Sequence, residues 1–263
     1  MSKPLLIDTH AHLYLDAFDD DRPAMVQRAL DHGVKKLLLP NIDNSTIDAM
    51  LEMEDRFPAV CFPMMGLHPC SVGEDNAAAT RIIEQWLASR PFVAVGEIGT
   101  DLYWDKTWVE AQIGIFKWHL ALAREAGLPV VIHSRDSLDL NIGIVREMQD
   151  GRLTGVFHCF NGTAEQAQQI TDLGFHMGIG GVVTFKNAGV DQVVASLPLG
   201  NLVLETDAPY LTPVPFRGQR NESAYLVHVA QKLADVTGIS LEQVAAETTR
   251  NAEALFPGIT AQA

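Results

Sequence analysis

Six side chains of kinds that commonly hold metals close short apolar runs spread along almost the whole chain. His10 and His12 lie in LLIDTHAHL, Glu97 in FVAVGEIG, His133 in LPVVIHSR, His158 in TGVFHCF and Asp207 in NLVLETDAP. A seventh candidate, His68, ends AVCFPMMGLHP. Each is expected as the last inward-looking residue of a strand before a turn. Ligands gathered one strand end at a time from distant stretches need strands that all point the same way. A closed ring of parallel strands does this, directing its carboxyl ends at one site.

The spacing of the runs carries that expectation further. Strands are expected at Leu5–His10, Lys35–Leu39, Val60–Met65, Val93–Ile98, Pro129–His133, Gly155–His158, Phe175–Ile179 and Leu202–Glu205. Short apolar runs alternating with helix-length amphipathic segments indicate parallel βα units. Eight such units close into a TIM (β/α)8 barrel with its helices outside. Pro23 suits the start of the first helix and Gly33 its end. Thr163–Gln166 and Ser240–Gln243 read as capping boxes, and Gly127, Gly174 and Gly238 stand where left-handed C-terminal caps are expected. Two last helices, near Asn221–Val236 and Leu241–Leu255, complete the ring. No linker or low-complexity tract interrupts the chain, so one α/β domain over residues 1–263 is expected. The alternative is a doubly wound open sheet. Its first strand usually leads into a glycine-rich phosphate loop, whereas here it ends in His-Ala-His.

A barrel of this kind suits 263 residues, 47% of them hydrophobic, enough to fill a core without a staple. The three cysteines, Cys61, Cys70 and Cys159, form no CxxC pair, which suits a reducing cytosol. No apolar stretch approaches the ~18 residues of a membrane helix, and the first residues do not read as a signal peptide. A cytoplasmic protein without membrane contact is therefore expected. The net charge of −14 argues against broad clamping of duplex nucleic acid. It leaves room for a small, locally positive site that holds one strand end.

Strand periodicity puts His10 and His12 on one side of the backbone, where two imidazoles can reach one cation. Alone, such a pair says little, because chance supplies many. The distribution of all nine histidines says more. His10, His12, His68, His133 and His158 lie at expected strand ends, whereas His32, His119, His176 and His228 do not. Active sites of these barrels occupy the face at the strands' carboxyl ends. Four imidazoles and two carboxylates without a thiolate suit zinc, manganese or magnesium. Six ligands exceed the need of one catalytic zinc, which keeps an open position. A cluster of two divalent ions sharing a carboxylate is expected; such a pair activates water and stabilises charge on both oxygens of a phosphoryl displacement.

The motifs IDTHAHL, GLHP, GEIGTDL, VIHSR, FHCFNGT, ETDAPYLTP and FRGQRN span residues 5–255. Their combination resembles the TatD family of metal-dependent deoxyribonucleases, within the amidohydrolase-like barrels. The resemblance implies His10, His12, Glu97 and Asp207 around one ion, with Glu97 bridging to a second held by His133 and His158. It implies Asp207 as acceptor of the proton from the attacking water, and His68 as a contact to substrate phosphate. Lactonase-like and phosphotriesterase-like relatives typically bridge with a carboxylated lysine, and Glu97 stands in its place. Three positions depart from the family's pattern: Cys70 where relatives often carry histidine, Thr100 for a usual leucine, and Ser223 where proline is common.

A phosphodiester needs cations. Arg135, Lys186, Arg217 and Arg220 fall on expected top-face loops, where an arginine fork can match two phosphate oxygens. Tyr103, Trp104 and Trp108 follow the fourth strand, suited either to stack a base or to pack as a lid on the next helix. Asp8 is expected to fill the barrel or to orient a ligand, and Glu205 to stand behind one. Catalysis is expected to rest on Asp207, Glu97 and His68, with DNA as substrate at single-stranded or frayed 3′ ends. The alternatives are hydrolysis of a D-aminoacyl-tRNA ester, which the resemblance also allows, and a barrel that binds metal without turnover.

Overall fold

The computed structural model describes residues 4–260, so both ends of the expected 1–263 domain lie outside the described residues. Eight parallel strands form close to the expected places: β1 (Leu6–Asp8), β2 (Val34–Pro40), β3 (Cys61–Met64), β4 (Val95–Asp101), β5 (Val130–Arg135), β6 (Gly155–Phe157), β7 (His176–Ile179) and β8 (Leu202–Leu204). Between and after them run α1 (Arg22–Asp31), α2 (Ile47–Arg56), α3 (Ala77–Ser89), α4 (Val109–Ala126), α5 (Leu138–Met148), α6 (Ala164–Asp172), α7 (Val190–Val194), α8 (Leu226–Thr237) and α9 (Leu241–Leu255). β1 to β3 and β4 to β8 are two continuous parallel arcs. Parallel bridges at Met65–Val95 and Ala11–Ala208 join them, and the Thr9 N–H reaches the Leu204 carbonyl at 3.0 Å across the second seam. The ring is therefore closed, as the expected TIM barrel.

Burial on both faces explains the near-continuous apolar strands. In β2, Leu37 and Leu39 join the core between strands and helices, while Leu38 joins Phe62, Val131, Val156 and Val203 inside the barrel. Leu255, Phe256 and Ile259 belong to that inner cluster too. The Asn251 amide donates to the Leu199 and Leu202 carbonyls at 2.7 and 2.8 Å, and Thr249 Oγ to the Leu5 carbonyl at 2.9 Å. α9 thus seals the amino-terminal end of the barrel and leaves the other end for chemistry.

Strand limits differ from expectation in an instructive way. β4 and β5 remain paired through Gly99–His133, Thr100–Ser134 and Asp101–Arg135. Glu97 and His133 therefore lie inside strands and not at their ends. β1, β6 and β8 stop earlier, so His10, His12, His158 and Asp207 stand on the turns just beyond them. α8 starts at Leu226, later than the expected Asn221. The Asn221 amide is spent on the Thr206 and Tyr210 carbonyls, at 2.8 and 2.6 Å, and Ser223 Oγ donates to Asp8 at 2.6 Å. These bonds hold the loop after β8 against β1. Thr163 and Gln166 make the full capping box, whereas Ser240 Oγ accepts the Gln243 N–H and itself donates to the Gln243 side chain, a different arrangement. Among the described residues, no helix is long and apolar enough to cross a membrane.

Candidate metal centre

Glu97 organises the carboxyl-terminal mouth of the barrel, and its two oxygens face different histidines. Oε2 lies 3.2 Å from His10 Nε2 and 3.3 Å from His12 Nε2. Oε1 lies 2.8 Å from His133 Nδ1, 3.0 Å from His158 Nε2 and 3.4 Å from His68 Nε2. Asp207 Oδ1 approaches the first set, 3.7 Å from both His10 and His12 Nε2. All six expected ligands and His68 thus converge on one place. Candidate ligand atoms within 4.8 Å of one another occur in His10–His12–Glu97, His10–His158–Asp207 and His68–Glu97–His133.

These residues fit a cation. Glu97 Oε2 and His10 Nδ1 are buried without a hydrogen-bond partner, and an unsatisfied buried carboxylate oxygen is costly unless a positive charge meets it. Burial opposes the charge on Glu97, but the neighbouring His68 and His158 outweigh it and hold its carboxyl well below the usual range. Burial, reinforced by His158, keeps the His10 ring neutral, as a ligand nitrogen must be. Burial lifts the Asp207 carboxyl to about 6. Its backbone is held at φ 56 by an N–H bond to the His10 carbonyl (2.9 Å) and by its own carbonyl on the Tyr210 N–H (2.8 Å). Asp136, Cys159 and Leu211 share this left-handed conformation on the turns after β5, β6 and β8. Such strain commonly gathers at functional sites.

The outer partner of each ring decides which nitrogen carries a lone pair. Tyr14 O–H donates to the Pro40 carbonyl at 2.6 Å, so it accepts from His12 Nδ1 at 2.9 Å and leaves His12 Nε2 bare toward Glu97. Asp101 Oδ2 accepts from His133 Nε2 at 3.0 Å, which leaves Nδ1 bare. Glu205 Oε1 stands 3.4 Å from His158 Nδ1. His68 is the reverse case. Its Nδ1 accepts the Cys70 N–H at 3.1 Å, so the proton sits on Nε2 and faces the cluster. Proximity alone groups His68 with the ligands, but this tautomer makes it a donor, and the hydrogen bond is the stronger argument. Tyr14 and Asp101 were not anticipated from sequence. Each continues the alternation of a ligand, two residues past His12 and four past Glu97, and that was the available signal.

The expected cations separate. Arg220 does not turn to the cluster: it donates to Asp21 at 2.7 and 2.9 Å and to the Ala17 carbonyl at 2.7 Å, and it lies over Phe18. Its donors tie the β8 loop to the start of α1. Arg217 is exposed, stacked 3.8 Å from the Phe185 ring centroid. With Lys186 and Val214 it lines a groove of about 450 Å³. Arg135 is exposed over Tyr103 and Trp104. Asp8 is fully buried and accepts from Thr206, Ser223 and the His10 N–H.

Known proteins resemble this chain over nearly its whole length. The metal-dependent hydrolase YabD of Bacillus subtilis is 36% identical over 253 residues, 96% of this chain and 99% of YabD. A protein of Erwinia amylovora named 3′-5′ ssDNA/RNA exonuclease TatD is 30% identical over 257 residues, covering 95% and 99%. The crystal structure of YjjV, a TatD homologue from Escherichia coli, superposes with a TM-score of 0.90 at 32% identity, covering 96% of this chain and 98% of that one. Residues 7–257 match the family described as TatD related DNase. The chain belongs to the TatD family and is a metal-dependent hydrolase.

Proposed function

We propose that the chain hydrolyses phosphodiester bonds of single-stranded DNA from 3′ ends, using two divalent ions of zinc, manganese or magnesium. The observation that carries this reading is the division of Glu97, whose oxygens face two separate sets of imidazoles. His10, His12 and Asp207 would hold one ion, His133 and His158 the other, and Glu97 both. Such ions, when bound, supply Lewis acidity to the attacking and leaving oxygens. Asp207, whose carboxyl is lifted toward neutrality, accepts the proton of the attacking water. His68 donates from Nε2 to a phosphate oxygen. Arg217 and Arg135 place neighbouring phosphates, while Arg220 braces the loop. The printed name of the Erwinia relative supports a single-stranded nucleic-acid substrate. The free thiols Cys61, Cys70 and Cys159 support action in the cytosol.

The test compares metal-loaded protein on single-stranded DNA and on D-aminoacyl-tRNA, with Asp207→Asn as control. The expected result is degradation of DNA by the wild type and none by the variant. Turnover of the tRNA ester alone would replace the nuclease reading with deacylation. Turnover of neither would leave a metal-binding barrel.

A further inference from the structure

Tyr103 and Trp104 are 52% and 69% exposed, on the turn directly after β4. Their rings meet edge-on, with centroids 4.8 Å apart. The Arg135 guanidinium covers them, 4.0 Å from the Tyr103 centroid and 5.0 Å from that of Trp104. Arg135 forms no ion pair among the described residues. An acidic chain here leaves a cation unneutralised beside two open aromatic rings.

This group is fixed to the metal centre. Asp101 Oδ1 accepts the Tyr103 and Trp104 N–H groups at 2.9 and 3.2 Å, while its Oδ2 orients His133. Arg135 lies opposite Asp101 in the β4–β5 ladder, and its carbonyl accepts the Leu102 N–H at 2.9 Å. Trp104 is three residues from Asp101, at most ~11 Å of chain. One carboxylate therefore sets both a cluster imidazole and the aromatic turn. Packing within this chain does not account for rings so exposed.

We propose that Tyr103, Trp104 and Arg135 form a stacking subsite for one unpaired nucleobase next to the phosphate that is cleaved. The proposal rests on the nucleic-acid reading above. Aromatic faces accept any base, and an arginine adds cation–π attraction and a phosphate contact. Stacking on a ring face reads no base edge, so the subsite tolerates sequence. It demands an unstacked base, which a duplex withholds. Selection for single strands and frayed ends follows from this geometry.

The test is equilibrium binding of the metal-loaded holoenzyme to a labelled oligothymidylate and to an abasic strand of equal length. Both carry phosphorothioate linkages to slow cleavage. Wild type should prefer the base-bearing strand by about 10-fold. Trp104→Ala and Tyr103→Ala should lose that preference, and Trp104→Phe should recover part of it. Both side chains are exposed, and circular dichroism checks that the variants fold. A wild-type preference retained in Trp104→Ala overturns the subsite, as does equal wild-type binding of the two strands or binding of neither. Cleavage of the same strands with native linkages separates the two readings. Base-dependent binding without cleavage overturns the exonuclease and leaves the subsite standing. Cleavage without base preference does the opposite.

Discussion

His133 gives its Nε2 proton to Asp101 at 3.0 Å, and its other ring nitrogen, Nδ1, lies 2.8 Å from Glu97. The second oxygen of Asp101 is occupied by the N–H groups of Tyr103 and Trp104. An asparagine offers one acceptor oxygen, so its amide N–H₂ must oppose either His133 or the turn. Asp101→Asn should therefore weaken metal binding by about 10- to 100-fold, the usual cost of losing a carboxylate behind a ligand histidine. Competition against a chelator measures it. Unchanged affinity would mean that the His133 tautomer is set by something other than Asp101.

Asp207→Asn should abolish most turnover while the barrel stays folded. Asparagine tolerates the left-handed backbone at this position, so the turn survives. It keeps an oxygen for the cluster but cannot accept a proton. Loss of a positioned general base costs kcat about 10²- to 10⁴-fold. Steady-state rates on a single-stranded oligonucleotide, with metal content measured beside them, give the answer. A variant with wild-type kcat and full metal content would exclude Asp207 as the base.

Much of this was legible in the sequence, for a physical reason. Buried parallel strands must be apolar on both faces, so runs such as LLLP and LPVVIH announce themselves, and ligands interrupt them conspicuously. Three-dimensional register was not legible. Asp101 and Tyr14 act only because β4 continues past Glu97 and because the rings of His133 and His12 turn one nitrogen outward. The ion pair of Arg220 was hidden for the complementary reason. Its loop position matched a phosphate contact, but Asp21, far away in sequence, meets its guanidinium. Likewise Asn221 could not be read as a loop brace before its carbonyl partners were known.

Arg220→Ala and Arg217→Ala should fail differently. Arg220 pairs with Asp21, and with Arg28 it holds that carboxyl well below the usual range through hydrogen bonds. Arg220 is partly exposed, so its removal should cost only about 1 kcal/mol, seen as a modest fall in Tm. KM should change little. Arg217→Ala should leave Tm alone, raise KM for a single strand and flatten the salt dependence of binding by roughly one counterion. Thermal melts and KM across a salt series distinguish the two. An Arg220→Ala protein with wild-type Tm and raised KM would restore Arg220 as a phosphate contact.

Acid should destabilise the fold through a histidine outside the cluster. His119, on α4, is fully buried. Its Nε2 accepts the Leu67 N–H at 3.2 Å and its Nδ1 donates to the Ile115 carbonyl at 2.9 Å, so no nitrogen is left for a second proton. Burial holds its pKa at about 3. The unfolded chain titrates this group near 6.5, so between those values it binds the extra proton and the fold does not. The stabilisation is therefore complete above about pH 6.5 and is lost as pH falls toward 3. At about pH 4.5 the loss should reach ~2–3 kcal/mol. Denaturant unfolding of chelated protein at neutral pH and at about 4.5 measures it, with His119→Gln, which cannot titrate, as reference. Wild type should lose that much more stability than the variant between the two conditions. Equal losses would show that His119 already carries its second proton in the fold, with the Leu67 N–H turned away from the ring.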